Sequence, residues 1–254
     1  MRMRLILLLF GFVAIQAQAQ ALNALGQYNF FGFQLRAIAP MSQMQSGTQQ
    51  FSDSILTSTI RPASGYIFGA TVRYGLTNLI ALETGLHYSQ RYFQLHTTRT
   101  DIDLSVDQSL RFVQFEIPIQ ALIYIQLNKK LYANAALGTN LLYKPSSVAV
   151  YSNPSDKHEF RQIGLVDINE KLAFDLMASE GFEWRDKKQG IFYLGASANV
   201  NLQPAFIYMS KYQYVNFKQL AAGEVNASHF SIDFKYFIPY VRSGNLIYDK
   251  GPIE

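Results

Sequence analysis

Residues 110–127 restrict the possible folds of this chain more than any other segment does. In this run of 18 residues, LRFVQFEIPIQALIYIQL, the odd positions from 113 onward are all apolar, whereas the even positions are mixed and mostly polar. Alternate side chains of a strand point to opposite faces, so the run predicts one long strand with an apolar face and a polar face. A helix is excluded, because the apolar residues do not recur at spacings of three and four. Strands of globular proteins usually have about five or six residues, whereas a tilted strand needs roughly nine to eleven to cross a bilayer.

The same alternation recurs along the whole chain. It predicts eight strands over residues 28–39, 64–74, 79–95, 110–127, 131–144, 172–185, 191–203 and 228–238. Their connections alternate between long loops (40–62, 96–109, 145–171 and 204–227) and tight turns (75–78, 128–130 and 186–190). The fold class predicted is all-β, an eight-stranded antiparallel up-and-down barrel with all long loops at one end.

Two residues disturb the predicted pattern. Glu180 falls on the apolar face of its strand, and a β-bulge beside it would restore the register. Pro118 has no N–H for the ladder, so we expect a bulge or another irregularity near Glu116.

The first 20 residues have the features of a secretory signal. Arg2 and Arg4 precede an apolar core at 5–15, and Ala17-Gln18-Ala19 is a small-residue cleavage site. We therefore expect three segments: a signal peptide (1–19), a barrel (20–238) and an irregular periplasmic tail (239–254).

Composition excludes several classes of function. Only 16% of the 254 residues are charged, against about 25% in soluble domains. The 22 basic residues include Arg2 and Arg4, so the processed chain would carry 20 against 18 acidic, a net charge of +2. Such a balance argues against nucleic acid as a partner. Cysteine is absent, which excludes disulfides and thiolate metal sites.

Alternation alone does not say which face points inward. A soluble lipocalin-like carrier would turn its apolar face inward, towards a ligand. Three features favour a membrane barrel: a polar face rich in Gly, Ser, Asn and Gln but poor in Lys and Glu, aromatic residues at the ends of the apolar faces, and the asymmetry of the loops. We expect the outer membrane of a Gram-negative bacterium, with lipid around the barrel and both termini in the periplasm.

The central strand also carries a family resemblance. Residues 112–125 (FVQFEIPIQALIYI), with Glu116, Ile117 and Pro118, resemble a strand of PorT-like and OmpA-like outer-membrane β-barrel proteins of Bacteroidota. Residues 82–91 (LETGLHYSQR) and 131–142 add to the likeness. The order of strands and loops resembles that of the family over nearly the whole mature chain, whereas the sequence motif covers only this strand and its flanks. The resemblance implies either a structural barrel or an accessory of type IX protein secretion, whose partners would be periplasmic or secretion-machinery proteins.

Charged residues of both signs fall on the predicted inner face. An eight-stranded barrel is just wide enough for side chains to fill it, and buried charges require partners. We therefore predict a packed lumen held by ion pairs, with a gated ion path as the alternative; the residues are Arg36, Arg73, Glu83, Glu116, Asp175, Glu183, Asp233 and Lys235.

No signature of an enzyme is present. The chain contains neither G-x-S-x-G nor H-E-x-x-H. Alternation over 101–107 predicts a strand extension above the membrane better than it predicts a calcium loop or a protease rim. We expect no catalytic residue, cofactor or metal, and a function in envelope structure or in interactions through the loops 40–62, 145–171 and 204–227.

Overall fold

The computed structural model describes residues 29–42, 46–77, 79–155, 157–186, 188–239, 241–242 and 245–246. The predicted signal peptide and most of the predicted tail lie outside these residues. The strands are β1 Asn29–Pro40, β2 Gln49–Asp53, β3 Leu56–Gly75, β4 Ile80–Arg99, β5 Leu104–Gln126, β6 Leu131–Tyr143, β7 Val148–Ser155, β8 His158–Leu165, β9 Leu172–Asp186, β10 Gly190–Asn201, β11 Phe206–Tyr214, β12 Phe217–Val225, β13 His229–Phe237, β14 Val241–Arg242 and β15 Asn245–Leu246. A 3₁₀ turn spans Ile168–Glu170. No helix within the described ranges is long and apolar enough to span a membrane.

Eight of these strands close into a ring. Following hydrogen-bonded neighbours, the order is β1, β3, β4, β5, β6, β9, β10 and β13, all antiparallel. β13 pairs back onto β1 through nine residue pairs from Gly32↔Phe237 to Pro40↔His229, which completes the barrel. The predicted eight-stranded up-and-down barrel is confirmed, and every predicted strand corresponds to one strand of the ring.

The apolar face of the ring points outward. On β1, Phe33 and Leu35 are 53% and 55% exposed, whereas Gln34 and Arg36 between them are 3% and 0% exposed. Ile119 on β5 is likewise 54% exposed beside the buried Gln120. The facing predicted for a membrane barrel is confirmed, and the lipocalin-like alternative with an apolar interior is wrong for this chain.

The predicted long loops are largely strands, which corrects that part of the prediction. β4 and β5 continue through 96–109 and are joined by a turn at 100–103. Loop 40–62 contains β2, which pairs with the extended start of β3. Loops 145–171 and 204–227 form the hairpins β7–β8 and β11–β12, which join as a four-stranded sheet in the order β12-β11-β8-β7. We call this four-stranded sheet, together with β2 and the extended ends of β3, β4 and β5, the cap.

The cap has an apolar core of its own. Phe206 on β11 packs against Phe93 of β4 and Phe112 of β5, with ring centroids 5.0 and 5.1 Å apart. Other buried members of this cluster are Ile60, Leu95, Leu110, Val166, Ala205, Tyr208, Val225 and Ala227. The four-stranded sheet and the extended ends of β3, β4 and β5 therefore pack as a sandwich, because each layer buries an apolar face against the other.

The bulge predicted beside Glu180 is absent, whereas an irregularity does occur at Pro118. β9 keeps one register against β10 and β6 throughout, so Glu180 simply lies on the outward face. At Pro118, β5 pairs with β6 without a shift. The β4–β5 ladder omits the pairs between Thr84↔Ile119 and His87↔Glu116, but it resumes in the same register. The missing N–H of Pro118 therefore interrupts the pairing without inserting a residue.

Side chains brace the short turns at the other end of the ring. Asn128 Oδ1 accepts hydrogen bonds from the backbone N–H groups of Lys130 and Leu131, each at 2.9 Å. Asp186 accepts a bond from the Lys130 ammonium at 2.8 Å and another from the Lys188 N–H at 2.9 Å. These bonds, the one from the Lys130 ammonium first, lower the pKa of Asp186 to about 2, so its carboxylate stays ionised in mild acid as well as at neutral pH.

Candidate functional site

The eight charged residues predicted for the lumen are all buried inside the ring. None of them is more than 2% exposed: Arg36, Arg73, Glu83, Glu116, Asp175, Glu183, Asp233 and Lys235. The strand register explains why these residues lie close together, because Arg73 is directly opposite Glu83, and Arg36 is directly opposite Asp233. Cross-strand partners on one face are neighbours in an antiparallel sheet.

Arg73 lies at the centre of a dense cluster near the short turns. Its guanidinium bonds to Glu83 at 2.7 Å and to Glu183 at 2.5 Å. The other oxygen of Glu83 bonds to the Lys235 ammonium, and Arg185 pairs with Glu183 at 2.9 Å. Each carboxylate thus bridges two cations, as buried charges require in order to offset their loss of hydration.

Arg36 forms a second and looser group further along the lumen. Its guanidinium lies 3.7 Å from Asp233 and 3.8 Å from Glu116. Glu116 also accepts a hydrogen bond from the Gln114 amide at 3.0 Å. Glu116 of the Glu-Ile-Pro motif thus points into the lumen, and Ile117 beside it faces outward at 38% exposure.

Three further charged side chains of the lumen, Asp175, Arg91 and Lys144, form hydrogen bonds rather than ion pairs within the described part of the chain. Asp175 accepts a hydrogen bond from the Asn201 amide at 2.8 Å. Arg91 donates to the backbone carbonyl of Ala227, and Lys144 donates to that of Pro204 at 2.8 Å. Both carbonyls belong to the connections that flank the β11–β12 hairpin. Sequence patterns could not reveal these contacts, because they join a lumenal side chain to the backbone of a distant segment.

The apolar core of the cap lies beyond the polar lumen on the same inner faces. On β5 the inward residues run from Glu116 through Gln114 to Phe112 and Leu110, all at most 1% exposed. The lumen is therefore followed, at its cap end, by packed aromatic and aliphatic side chains. The interior of the described barrel is therefore filled by ion pairs in the lumen and by apolar side chains at the cap end.

The far end of the cap carries an aromatic and cationic cluster. Arg99 donates to the Tyr212 hydroxyl at 2.5 Å, and its guanidinium lies 4.6 Å from the Tyr212 ring centroid and 5.1 Å from that of Phe217. Asp101 accepts hydrogen bonds from Arg99, which lower its pKa. Phe217 is 45% exposed, and the neighbouring turn residue Val215 adopts a φ of 52°, a strained conformation for a β-branched side chain. This tip offers a rigid, partly apolar surface for contacts.

Several solved structures are similar to this chain at low sequence identity. Crystal structures similar to this chain include the outer membrane protein OprG from Pseudomonas aeruginosa, with 12% identity, 84% of this chain and 96% of that chain covered and a TM-score of 0.49. The β domain of the Bordetella autotransporter BrkA has 9% identity, 84% and 98% coverage and a TM-score of 0.29. The outer membrane protease OmpT from Escherichia coli has 8% identity, 84% and 96% coverage and a TM-score of 0.28. No curated protein matches the chain.

A family model settles the relationship. The model described as "Outer membrane protein beta-barrel domain" matches residues 16–207, which is more than half of the chain. That range extends from before β1 through β10 and so includes seven strands of the ring. The closed ring, its apolar outer face and this match lead to one conclusion: the chain belongs to the outer membrane protein β-barrel domain family.

Proposed function

We propose that this protein is a non-enzymatic barrel of the outer membrane that conducts no ions and acts through its cap, in envelope structure or in interactions with other molecules. The observation that carries the proposal is the filled interior. Arg73, Glu83, Glu183 and Lys235 bond across the lumen, and the core around Phe206 closes the cap end. An eight-stranded barrel leaves room for side chains but not for a water channel once they are packed.

The orientation is part of the same proposal. Barrels of bacterial outer membranes have short turns on the periplasmic side and longer segments outside the cell. This rule would place the braced turns around Asn128 and Asp186 in the periplasm and the cap at the cell surface. Both ends of the chain would then be periplasmic, and the tip around Arg99 and Phe217 would be available to external partners.

The absence of catalysis is inferred from the state of the lumenal carboxylates. Glu83 and Glu183 each bridge two cations and are at most 1% exposed, so neither is available to a substrate in solution. General acid–base catalysis requires a group within hydrogen-bond reach of the reacting atoms. The lumen is therefore better suited to stability than to chemistry.

Conductance in planar lipid bilayers tests the closed lumen. We expect the purified full-length chain to insert without stepwise currents, while an open porin inserted in the same lipid gives them. Heat-modifiable gel mobility of the same sample would show that the barrel is folded. Stepwise currents that scale with the amount of folded protein would contradict the proposal and favour the gated ion path.

A secretion accessory is the second candidate, and it rests on the resemblance of the Glu116-Ile117-Pro118 strand to PorT-like proteins. In that case the short turns and the segment after β13 would contact periplasmic partners. A deletion strain that no longer secretes cargo with the C-terminal type IX signal would favour this function. Normal secretion would remove it.

A further inference from the structure

Glu180 is a charged residue on the lipid-facing side of the barrel. It lies on β9 with the exposed residues Ala178 and Phe182 on the same face. The outward residues of the eight ring strands between the aromatic ends are otherwise aliphatic, aromatic, Ala or Thr among the described residues. Within the described chain, the Glu180 carboxylate makes neither an ion pair nor a hydrogen bond, whereas every lumenal carboxylate named above has a partner.

The position of Glu180 along β9 places it deep in the hydrocarbon layer. Trp184, four residues away, belongs to an aromatic row with Phe192 and Tyr236, whose successive ring centroids are 5.8 and 5.0 Å apart. Phe174 lies six residues away in the other direction. At about 3.4 Å per residue and a tilt of about 40°, Glu180 is about 10 Å from the level of Trp184 and about 16 Å from that of Phe174. Ionisable groups at such a depth are costly and usually mark a functional contact.

Small side chains surround the carboxylate. Ala135 of β6 and Ala196 of β10 stand directly opposite Glu180 on its two neighbouring strands. Two residues away on the same face of β9, Ala178 lies opposite Ala198 of β10. These alanines lie on one face of three adjacent strands, so another polypeptide could approach closely there and exclude lipid from around the carboxylate.

We propose that the face of β6, β9 and β10 around Glu180 is a lateral docking site for a membrane-embedded segment of another protein that carries a Lys or Arg side chain at the same depth. Charged groups of either sign are costly in hydrocarbon, so pairing them reduces both penalties and creates a charge-assisted hydrogen bond. Aliphatic side chains of the partner would pack against the alanines.

Two other occupants fit the surface less well. A second copy of this chain would present Glu180 again, since the outward face of the described membrane-spanning strands carries no Lys or Arg. Lipid headgroups lie outside the hydrocarbon layer, which is about 30 Å thick, and so do not reach mid-depth. Charge complementarity therefore favours a different protein with a basic residue inside the membrane.

Photo-crosslinking in the native outer membrane tests this proposal. Ala196 in the full-length chain is replaced by p-benzoylphenylalanine; the matched control places the same probe at Ala70, an outward-facing residue on β3 across the ring. We expect an adduct from position 196 but not from position 70. Mass spectrometry should map it to a membrane-spanning segment that contains a Lys or Arg. Glu180→Leu should reduce the yield about tenfold or more, which corresponds to the loss of a charge-assisted hydrogen bond, and Glu180→Asp should retain it.

Several outcomes would overturn the docking site. These are an adduct at 196 no stronger than at 70, a yield that Glu180→Leu leaves unchanged, or an adduct of this chain with a second copy of itself. Heat-modifiable mobility and thermal unfolding of purified Glu180→Leu distinguish docking from a structural role. We expect a barrel at least as stable as the parent, because the substitution removes a charge from the lipid face; a less stable barrel would mean that Glu180 supports the barrel itself.

Discussion

At the scale of single residues, the lumen is stabilised by shared charges rather than by isolated ion pairs. Glu83 bonds to Arg73 and Lys235, and Glu183 bonds to Arg73 and Arg185. A buried pair offsets much of its cost of desolvation, but the removal of one member leaves an uncompensated charge. Glu83 is therefore the residue at which a small change in chemistry should have a large effect on stability.

Glu83→Gln should destabilise the folded barrel by about 3–5 kcal/mol, because Arg73 and Lys235 lose a shared anion inside the lumen. Urea unfolding in lipid vesicles, followed by Trp184 fluorescence, measures the change. Glu159→Gln, at an exposed position on β8, is the control and should shift stability by less than about 0.5 kcal/mol. The double variant Glu83→Gln/Lys235→Met should recover part of the loss, and no recovery would argue against coupling between these two residues.

At the scale of single strands, each long strand carries its apolar side chains on the outer face within the membrane and on the inner face within the cap. On β5, Ile117 and Ile119 face outward and Glu116 inward, whereas further along Leu110 is buried and Arg111 exposed. The register of β5 does not change, so the sequence itself switches the apolar set from one face to the other. β3 reaches the same result differently, because its apolar residues keep their phase and a register shift between Ala63 and Tyr66 turns the strand over.

The reversal on β5 gives a matched pair of substitutions on one face of one strand. Ile119→Arg introduces a charge into the lipid-facing part and should cost roughly 2–4 kcal/mol. Ser109→Arg introduces the same charge on the same face, but within the cap and beside water, and should change stability by less than about 0.5 kcal/mol. Unfolding in lipid vesicles compares the two; equal effects would mean that the boundary of the membrane is misplaced.

At the scale of the whole molecule, the protein is a barrel with a second folded layer at one end. Tyr212, Phe160 and Leu56 form a further buried cluster near the tip, beyond the one around Phe206. Lys144 and Arg91 bond from the lumen to the backbone beside β11 and β13. The cap should therefore behave as a rigid extension of the barrel, and proteases should reach it only at the turns.

Trypsin added to intact cells should cut next to Lys157 and Lys218, which are exposed in or beside the turns of the two cap hairpins. Lys129 and Lys130, exposed in a turn at the opposite end, should be cut only after the outer membrane is permeabilised. Mass spectrometry of the released peptides identifies the sites. Cleavage at Lys129 in intact cells, with Lys157 protected, would show that the barrel is inserted in the opposite orientation.

The ring, the orientation of its side chains and the burial of its charges could all be predicted from the order of the amino acids. Every strand of the ring alternates, and alternation translates directly into two faces because side chains on a strand have a period of two. Arg36, Arg73, Glu83 and Lys235 could be assigned to the lumen once the aromatic ends of the strands and the asymmetry of the loops indicated that the polar face points inward. The tight turns at 75–78, 128–130 and 186–190 require three of the antiparallel pairs, and the alternation of long and short connections predicted the rest of the up-and-down order.

What the long connections do could be read only from the packed structure. Segments 145–171 and 204–227 do not reveal in isolation which surface they cover, and their hairpins are stabilised by packing Phe160, Phe206 and Tyr212 onto the extensions of β3, β4 and β5. The contacts of Arg91 and Lys144 with distant carbonyls depend on the same packing. A pattern of local alternation carries no information about such pairings, since their free energy comes from surfaces that are distant in the sequence and meet only in the folded molecule.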